Sequence, residues 1–176
     1  MKKIAMLCLG LFVMMNLNAQ EKKVKSNLFK VIILSPGLNF EKGIGKKSTI
    51  SSDIGSSVGF HSNSSGTEWL ISPYVKEQYR FYYNLENREQ KGKNIYNNSG
   101  NFVAFSASYY FNPIGKADYV SVYDGLTLAP VWGLQRTYNS GLNFTINTGV
   151  GYNISRNNKN KVVPVVNFSL GWIIGK

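Results

Sequence analysis

The strongest constraint on the fold is a period of two that runs through residues 142–176. Leu142, Phe144, Ile146, Val150, Tyr152 and Ile154 share one parity, and Asn143, Thr145, Asn147, Gly149, Gly151, Asn153 and Ser155 share the other. Successive strand side chains point to opposite sides of a sheet, so this is one apolar face and one face of small polar groups. A polar turn, Asn157-Asn158-Lys159-Asn160, leads into a second copy of the pattern. There Val162, Pro164, Val166, Phe168, Leu170, Trp172 and Ile174 alternate with positions that include Asn167, Ser169, Gly171 and Gly175. Strands of this length are about twice the five or six residues usual in globular sheets. Long two-sided strands suit a β-barrel that crosses a membrane.

The same alternation recurs upstream. Leu126, Leu128, Pro130, Trp132 and Leu134 share a face, as do Val103, Phe105, Ala107, Tyr109 and Phe111. Trp69, Ile71, Pro73, Val75, Tyr79, Phe81 and Tyr83 share another, with Ser72, Tyr74, Lys76, Gln78, Arg80 and Tyr82 opposite; Glu77 interrupts the apolar side and predicts a bulge or register shift. Ile50, Ile54, Val58 and Phe60 complete a sixth strand. An unbroken strand over residues 28–40 would give seven, whereas bacterial single-chain barrels have an even number. Pro36-Gly37 divides that stretch into strands over 27–34 and 38–43, giving eight; the alternative is that residues 25–34 form a lead or plug. The expected fold is all-β, an antiparallel up-and-down transmembrane β-barrel of eight strands.

Lys2 and Lys3 precede the apolar run of residues 4–13, and Asn18-Ala19-Gln20 supplies small residues for cleavage. The run is shorter than the roughly 20 apolar residues of a membrane-spanning helix. Residues 1–19 therefore read as a signal peptide and 20–176 as one outer-membrane barrel domain. The single cysteine, Cys8, falls in the leader, so no disulfide or thiol chemistry is expected in the exported chain.

Alternation does not say which face meets lipid, since a soluble lipocalin-like ligand barrel also has two-sided strands. The polar face is mostly Ser, Thr, Asn and Gly, whereas a solvent face would carry many Lys and Glu residues. Small residues also fit the narrow interior of eight strands. Aromatic residues gather toward strand ends at Trp69, Tyr79, Tyr83, Tyr138, Tyr152 and Trp172, as in interfacial girdles. The charged residues of the inward face, Glu41, Asp53, Lys76 and Arg80, are expected to form a lumen charge network. A salt-bridge network that closes the lumen is the plainer reading and a narrow small-solute channel the sharper one.

The formal net charge of +11 falls to +9 without Lys2 and Lys3, and the cations cluster in loops. That placement favours the anionic head groups of outer-membrane lipid and lipopolysaccharide over nucleic acid. Residues 84–100 form the longest polar connection, expected to face outward, and its Arg88, Lys91 and Lys93 are a candidate anion-binding set. A merely solvated loop is the competing reading.

Catalysis finds little support. The single histidine lies in Phe60-His61-Ser62-Asn63-Ser64-Ser65-Gly66-Thr67-Glu68, which superficially resembles the His/Ser/Glu set of lipid A deacylases, but the His-x-Ser spacing is absent. One histidine and no exported cysteine provide no metal-ligand cluster, and the scattered glycines form no phosphate loop; no metal or cofactor is expected.

Taken whole, the chain resembles the small outer-membrane β-barrel families of the Bacteroidota, with OmpA/OmpX-like eight-stranded architecture. The resemblance lies in Asn18-Ala19-Gln20, in Pro36-Gly37-Leu38-Asn39-Phe40-Glu41-Lys42-Gly43, in Tyr79-Arg80-Phe81-Tyr82-Tyr83-Asn84, in Arg88 and Lys91-Gly92-Lys93, and in Asn98-Ser99-Gly100-Asn101-Phe102. It implies insertion in the outer membrane of a Gram-negative bacterium by the barrel-assembly machinery, a monomer, and no catalytic residues. The terminal Trp172-Ile173-Ile174-Gly175-Lys176 departs from the usual final aromatic of the assembly signal. The functional expectation is a structural or surface-interaction role.

Overall fold

Eight long segments with alternating faces give eight antiparallel strands joined up and down in one ring-like sheet, with almost no helix. The structure, a computed structural model, describes residues 23–63, 66–115, 124–156 and 159–174. The leader expected over residues 1–19 lies outside them. The strands are β1 (Asn27–Ile32), β2 (Gly37–Gly43), β3 (Ser48–Asn63), β4 (Gly66–Tyr82), β5 (Asn101–Tyr110), β6 (Gly125–Thr137), β7 (Leu142–Ile154) and β8 (Lys161–Ile174). Each pairs with its sequence neighbour, a two-residue strand at Ile114–Gly115 continues β5 along β4, and β1 pairs with β8 from Phe29↔Ile174 to Ile32↔Gly171 to close the ring.

The division at Pro36-Gly37 is the observed one: β1 and β2 form a hairpin with the register Asn27↔Lys42 to Ile32↔Gly37. Residues 27–32 are thus wall, not lead or plug. The bulge expected at Glu77 is absent, because both registers run through it, Ser52↔Glu77 on one side and Glu77↔Ala107 on the other. The Ser52 hydroxyl donates to the Glu77 carboxylate at 2.8 Å, so a polar partner on the same outer face accommodates the charge without displacing the strand.

The sidedness is inverted relative to a water-soluble fold. Val166 is 71% exposed, Val162 68%, Val150 60% and Ile54 59%, while Gln135, Glu41, Thr49 and Ser51 inside the ring are fully buried. The buried apolar cluster is small and sits at one end: Val24, Tyr82, Leu85, Phe102, Ala104, Ala129 and Val131.

Antiparallel order puts the 44–47 and 138–141 turns, the 83–100 connection and the outer ends of β1 and β8 at one end of the ring. The opposite end is uneven. β3 and β4 are 16 and 17 residues long, and β7 and β8 are 13 and 14, but β1 and β2 have only 6 and 7. The β1–β2 hairpin therefore stops low in the wall. Above it, among the described residues, 161–169 of β8 pair only with β7 and 57–63 of β3 pair only with β4. The last contacts of the hairpin with its neighbours are Ile33 N to Leu170 O at 2.9 Å and Ser56 N to Pro36 O at 3.0 Å.

Candidate functional site

Because every second side chain of each strand points inward, polar residues spaced far apart in sequence converge inside the ring, and they converge on Glu41. Its Oε1 accepts hydrogen bonds from Thr49 Oγ1 (2.9 Å), Tyr82 OH (2.8 Å) and Asn98 Nδ2 (2.9 Å). Its Oε2 accepts from Lys30 Nζ (3.0 Å), Arg80 Nη1 (3.4 Å) and Gln135 Nε2 (3.3 Å). Gln135 Oε1 in turn accepts from Lys30 (2.8 Å), Arg80 (3.3 Å) and Thr145 (3.2 Å), and Gln78 Oε1 accepts from Arg80 Nε and Nη2. Gln78 Nε2 then donates to Ser106 Oγ at 3.2 Å. β1 to β7 all contribute to this network. The Arg80 guanidinium also lies 4.8 Å from the Phe102 ring centroid. A buried carboxylate needs this many donors and two cations to offset its lost hydration.

The same carboxylate holds the loop that closes this end. Residues 84–100 are not simply a solvated connection: they contain α1 (Leu85–Gln90) and a 3-10 turn at Tyr96–Asn98, and Leu85, Asn97, Asn98 and Ser99 are buried. Asn97 and Asn98 have φ of 47° and 61°, a left-handed conformation that asparagine tolerates better than most residues. The conformation is held by Asn98 to Glu41, by Lys25 N donating to Asn98 Oδ1 (2.7 Å), by Gln135 and Thr137 donating to the Asn97 carbonyl, and by Asn94 Nδ2 donating to the Thr137 carbonyl (2.8 Å).

The four residues expected to share a lumen charge network fall into two groups. Glu41 and Arg80 belong to the cluster just described, and Asp53 pairs with Lys76 at 3.6 Å, beyond hydrogen-bond length. Asp53, Lys76, Arg80 and Lys30 line a common polar cavity of about 270 Å³. Lys30, Thr49, Tyr82, Asn98 and Gln135 were not among the residues singled out by sequence. Strand parity puts Tyr82 and Gln135 on the inward face, whereas β1 is apolar on both faces around Lys30 and hides it.

The candidate anion-binding residues lie outside, on the closed end. Arg88 is half-buried and donates to the Asn94 carbonyl at 2.8 Å, while Lys91 and Lys93 are exposed. Arg136 lies within electrostatic reach of Arg88 and donates to Gly100 O and Asn101 Oδ1. Among the described residues, neither guanidinium has a carboxylate at ion-pair distance. The acids of α1 are engaged elsewhere, Glu86 with Lys47 at 2.7 Å and Glu89 with Lys23.

The histidine segment forms the far end of the β3–β4 hairpin, where the backbone pairs His61 with Glu68; Ser64 and Ser65 lie outside the described residues. No protein-family model matches the chain, and no curated protein and no solved structure matches it either.

Proposed function

We propose that the ring is a transmembrane β-barrel of the bacterial outer membrane, monomeric and inserted by the barrel-assembly machinery, with a structural or surface-interaction role rather than a catalytic one. The observation that carries this reading is the inverted sidedness. Leu, Ile, Val, Phe and Trp side chains cover the outside, and Glu, Lys, Arg, Gln and Asn fill the inside. In water such an exterior is an aggregation surface, while in hydrocarbon it is the solvated face. Tyr79, Phe81, Tyr83 and Trp172 toward one end, with Tyr109, Phe111 and Tyr152 toward the other, suit the two interfaces.

The lumen conducts poorly in this reading, because the Glu41 cluster and the 84–100 loop obstruct one end. Both chain-terminal strand ends share the looped end, which faces the periplasm when the barrel inserts from that side, so the cations of that loop, with Arg136 beside them, meet anionic head groups of the inner leaflet. The experiment is membrane fractionation of the expressed protein followed by electrophoresis with and without boiling. An outer-membrane band that shifts on heating is expected; a periplasmic protein without a shift would make a lipocalin-like binder the better reading. Replacing Arg88, Lys91 and Lys93 together with Gln is expected to weaken binding to phosphatidylglycerol vesicles, and the loop is expected to resist protease added to intact cells. Unchanged vesicle binding would sink the head-group contact, and cleavage in intact cells would reverse the orientation and make lipopolysaccharide the partner.

A further inference from the structure

The wall of the ring is incomplete on one side, and the interior cavity reaches the outside there. The low β1–β2 hairpin leaves residues 161–169 of β8 and 57–63 of β3 each paired on one side only, with a notch between them above the hairpin turn. The cavity is lined from within by Asp53 and Lys76 and also by Ser35 of the hairpin turn, Ser57 of β3, and Val166 and Phe168 of β8. Val166 and Phe168 are outward-facing side chains, 71% and 48% exposed, so the cavity passes through the wall at the notch. The apolar exterior continues to the same level on both flanks, at Ile54 and Val58 of β3 and at Val162 of β8. β1 and β2 are also shorter than the roughly 9–11 residues a strand needs to cross a bilayer, so a bilayer that covers the longer strands reaches the notch.

What lies inside the opening is an unfilled donor. The Lys76 ammonium makes no hydrogen bond among the described residues; its contacts are the Asp53 carboxylate at 3.6 Å and the face of Tyr74 at 5.6 Å. Lys30 and Arg80 add positive charge to the same cavity, while their hydrogen bonds are spent on Glu41, Gln78 and Gln135. A buried ammonium with three N–H groups is a strong receptor for an oxyanion.

We infer that the notch admits a single-chain amphiphile sideways from the bilayer, its oxyanion head on Lys76 and its acyl chain leaving between β3 and β8 along Val166 and Phe168. The head is a carboxylate, as in a fatty acid, or a phosphate, as in a lysophospholipid; both present the same chemistry to the ammonium. The inference rests on the membrane reading proposed above.

The test uses the full-length protein folded in dodecylmaltoside micelles and checked for the heat shift of a closed barrel. It is titrated with palmitate, with palmitoyl lysophosphatidylglycerol and with methyl palmitate, and retained ligand is counted by native mass spectrometry. Palmitate or the lysolipid is expected to bind one per protein, at least tenfold more tightly than methyl palmitate, and the tighter of the two identifies the head. Lys76→Gln is expected to lower that affinity at least tenfold and leave methyl palmitate unchanged. Asn167→Trp, filling the notch from the inner face of β8, is expected to abolish retention with Lys76 intact. If Lys76→Gln alone fails to fold because Asp53 loses its cation, the double variant with Asp53→Asn carries the same test. Equal binding of palmitate and methyl palmitate, or retention indifferent to Lys76→Gln and Asn167→Trp, overturns the inference. Absence of the heat shift in the wild type would instead overturn the membrane reading, whatever the ligand does.

Discussion

Glu41 and Asp53, both inside the ring, sit in opposite situations. Glu41, at the looped end, receives six hydrogen bonds and two cations and has no exposed surface, whereas Asp53, toward the notched end, has one cation at 3.6 Å and an Oδ2 that accepts no hydrogen bond among the described residues. Both carboxylates are inward, both face lysine or arginine, and both come from neighbouring strands. The difference teaches that position on the polar face decides only that a charge points inward. Whether the charge is structural or available depends on what closes the ring around it. At Glu41 the wall is complete and the 84–100 loop lies across it; a few residues beyond Asp53, past Ser56, the wall ends. A satisfied buried network rigidifies, while a partly satisfied one is a place where something else binds.

The largest effect should come from Glu41→Ala. It leaves Lys30 and Arg80 buried without a carboxylate, and removing one partner of a buried pair costs about 3–5 kcal/mol. Equilibrium urea unfolding of the protein in lipid vesicles, read by the heat-shifted band, measures it. Asn98→Ala comes next. It removes one of three donors to Glu41 Oε1 and the acceptor of the part-buried Lys25 N, two hydrogen bonds that together contribute about 1–3 kcal/mol. Its signature is local: protease should cut within residues 84–100 faster while the ring keeps its heat shift. Asp53→Asn should cost less than Glu41→Ala, since its ion pair, though buried, is long at 3.6 Å and borders a cavity. If Asp53→Asn destabilised as much as Glu41→Ala, the contrast between the two ends would be broken.

Much of the sheet was legible because the strand period is two and the apolar parity is kept over many residues. Residues 142–154 and 161–174 follow the alternation of the sequence, and Pro36-Gly37 marks the turn that makes the strand count even. The misread at Glu77 has a simple cause: one charged residue on an apolar face reads as a break in period, but Ser52 opposite it supplies a hydrogen bond and the register is kept. The site was legible only as a face. Parity put Glu41, Asp53, Lys76 and Arg80 inside, but pairing depends on how the strands stagger around the ring, which no single strand records. Lys30 escaped because Leu28 and Ile32 on its own face are as apolar as Phe29 and Val31 on the other. The closing role of residues 84–100 escaped because they look like a polar loop. Its buried members Asn97, Asn98 and Ser99 are polar residues whose partners are inside the ring, and composition alone does not distinguish such a residue from a solvated one.

The smallest predicted effect separates the inside of the looped end from its outside. Lys47 donates to Glu86 on the exposed surface of α1, and this hydrogen bond, with the positive field of Lys23 and Lys46, holds the Glu86 carboxyl below its ordinary value of 4.5. A carboxylate with a lowered value in the folded state stabilises it fully at pH well above 4.5 and loses that contribution as pH falls through the lowered value. Acidification from pH 6 to pH 3 at low salt should therefore speed pepsin cleavage in and around α1 beyond the enzyme's own pH dependence. Glu86→Gln should abolish that increment, and 1 M salt should flatten it, because exposed pairs are screened within about 3 Å at that ionic strength. The Glu41 cluster, shielded from salt by burial, should keep the ring closed throughout the high-salt arm. Salt that opened the ring as readily as it loosened α1 would mean that the interior cluster is solvated, and the distinction between a closed end and an open one would lose its physical basis.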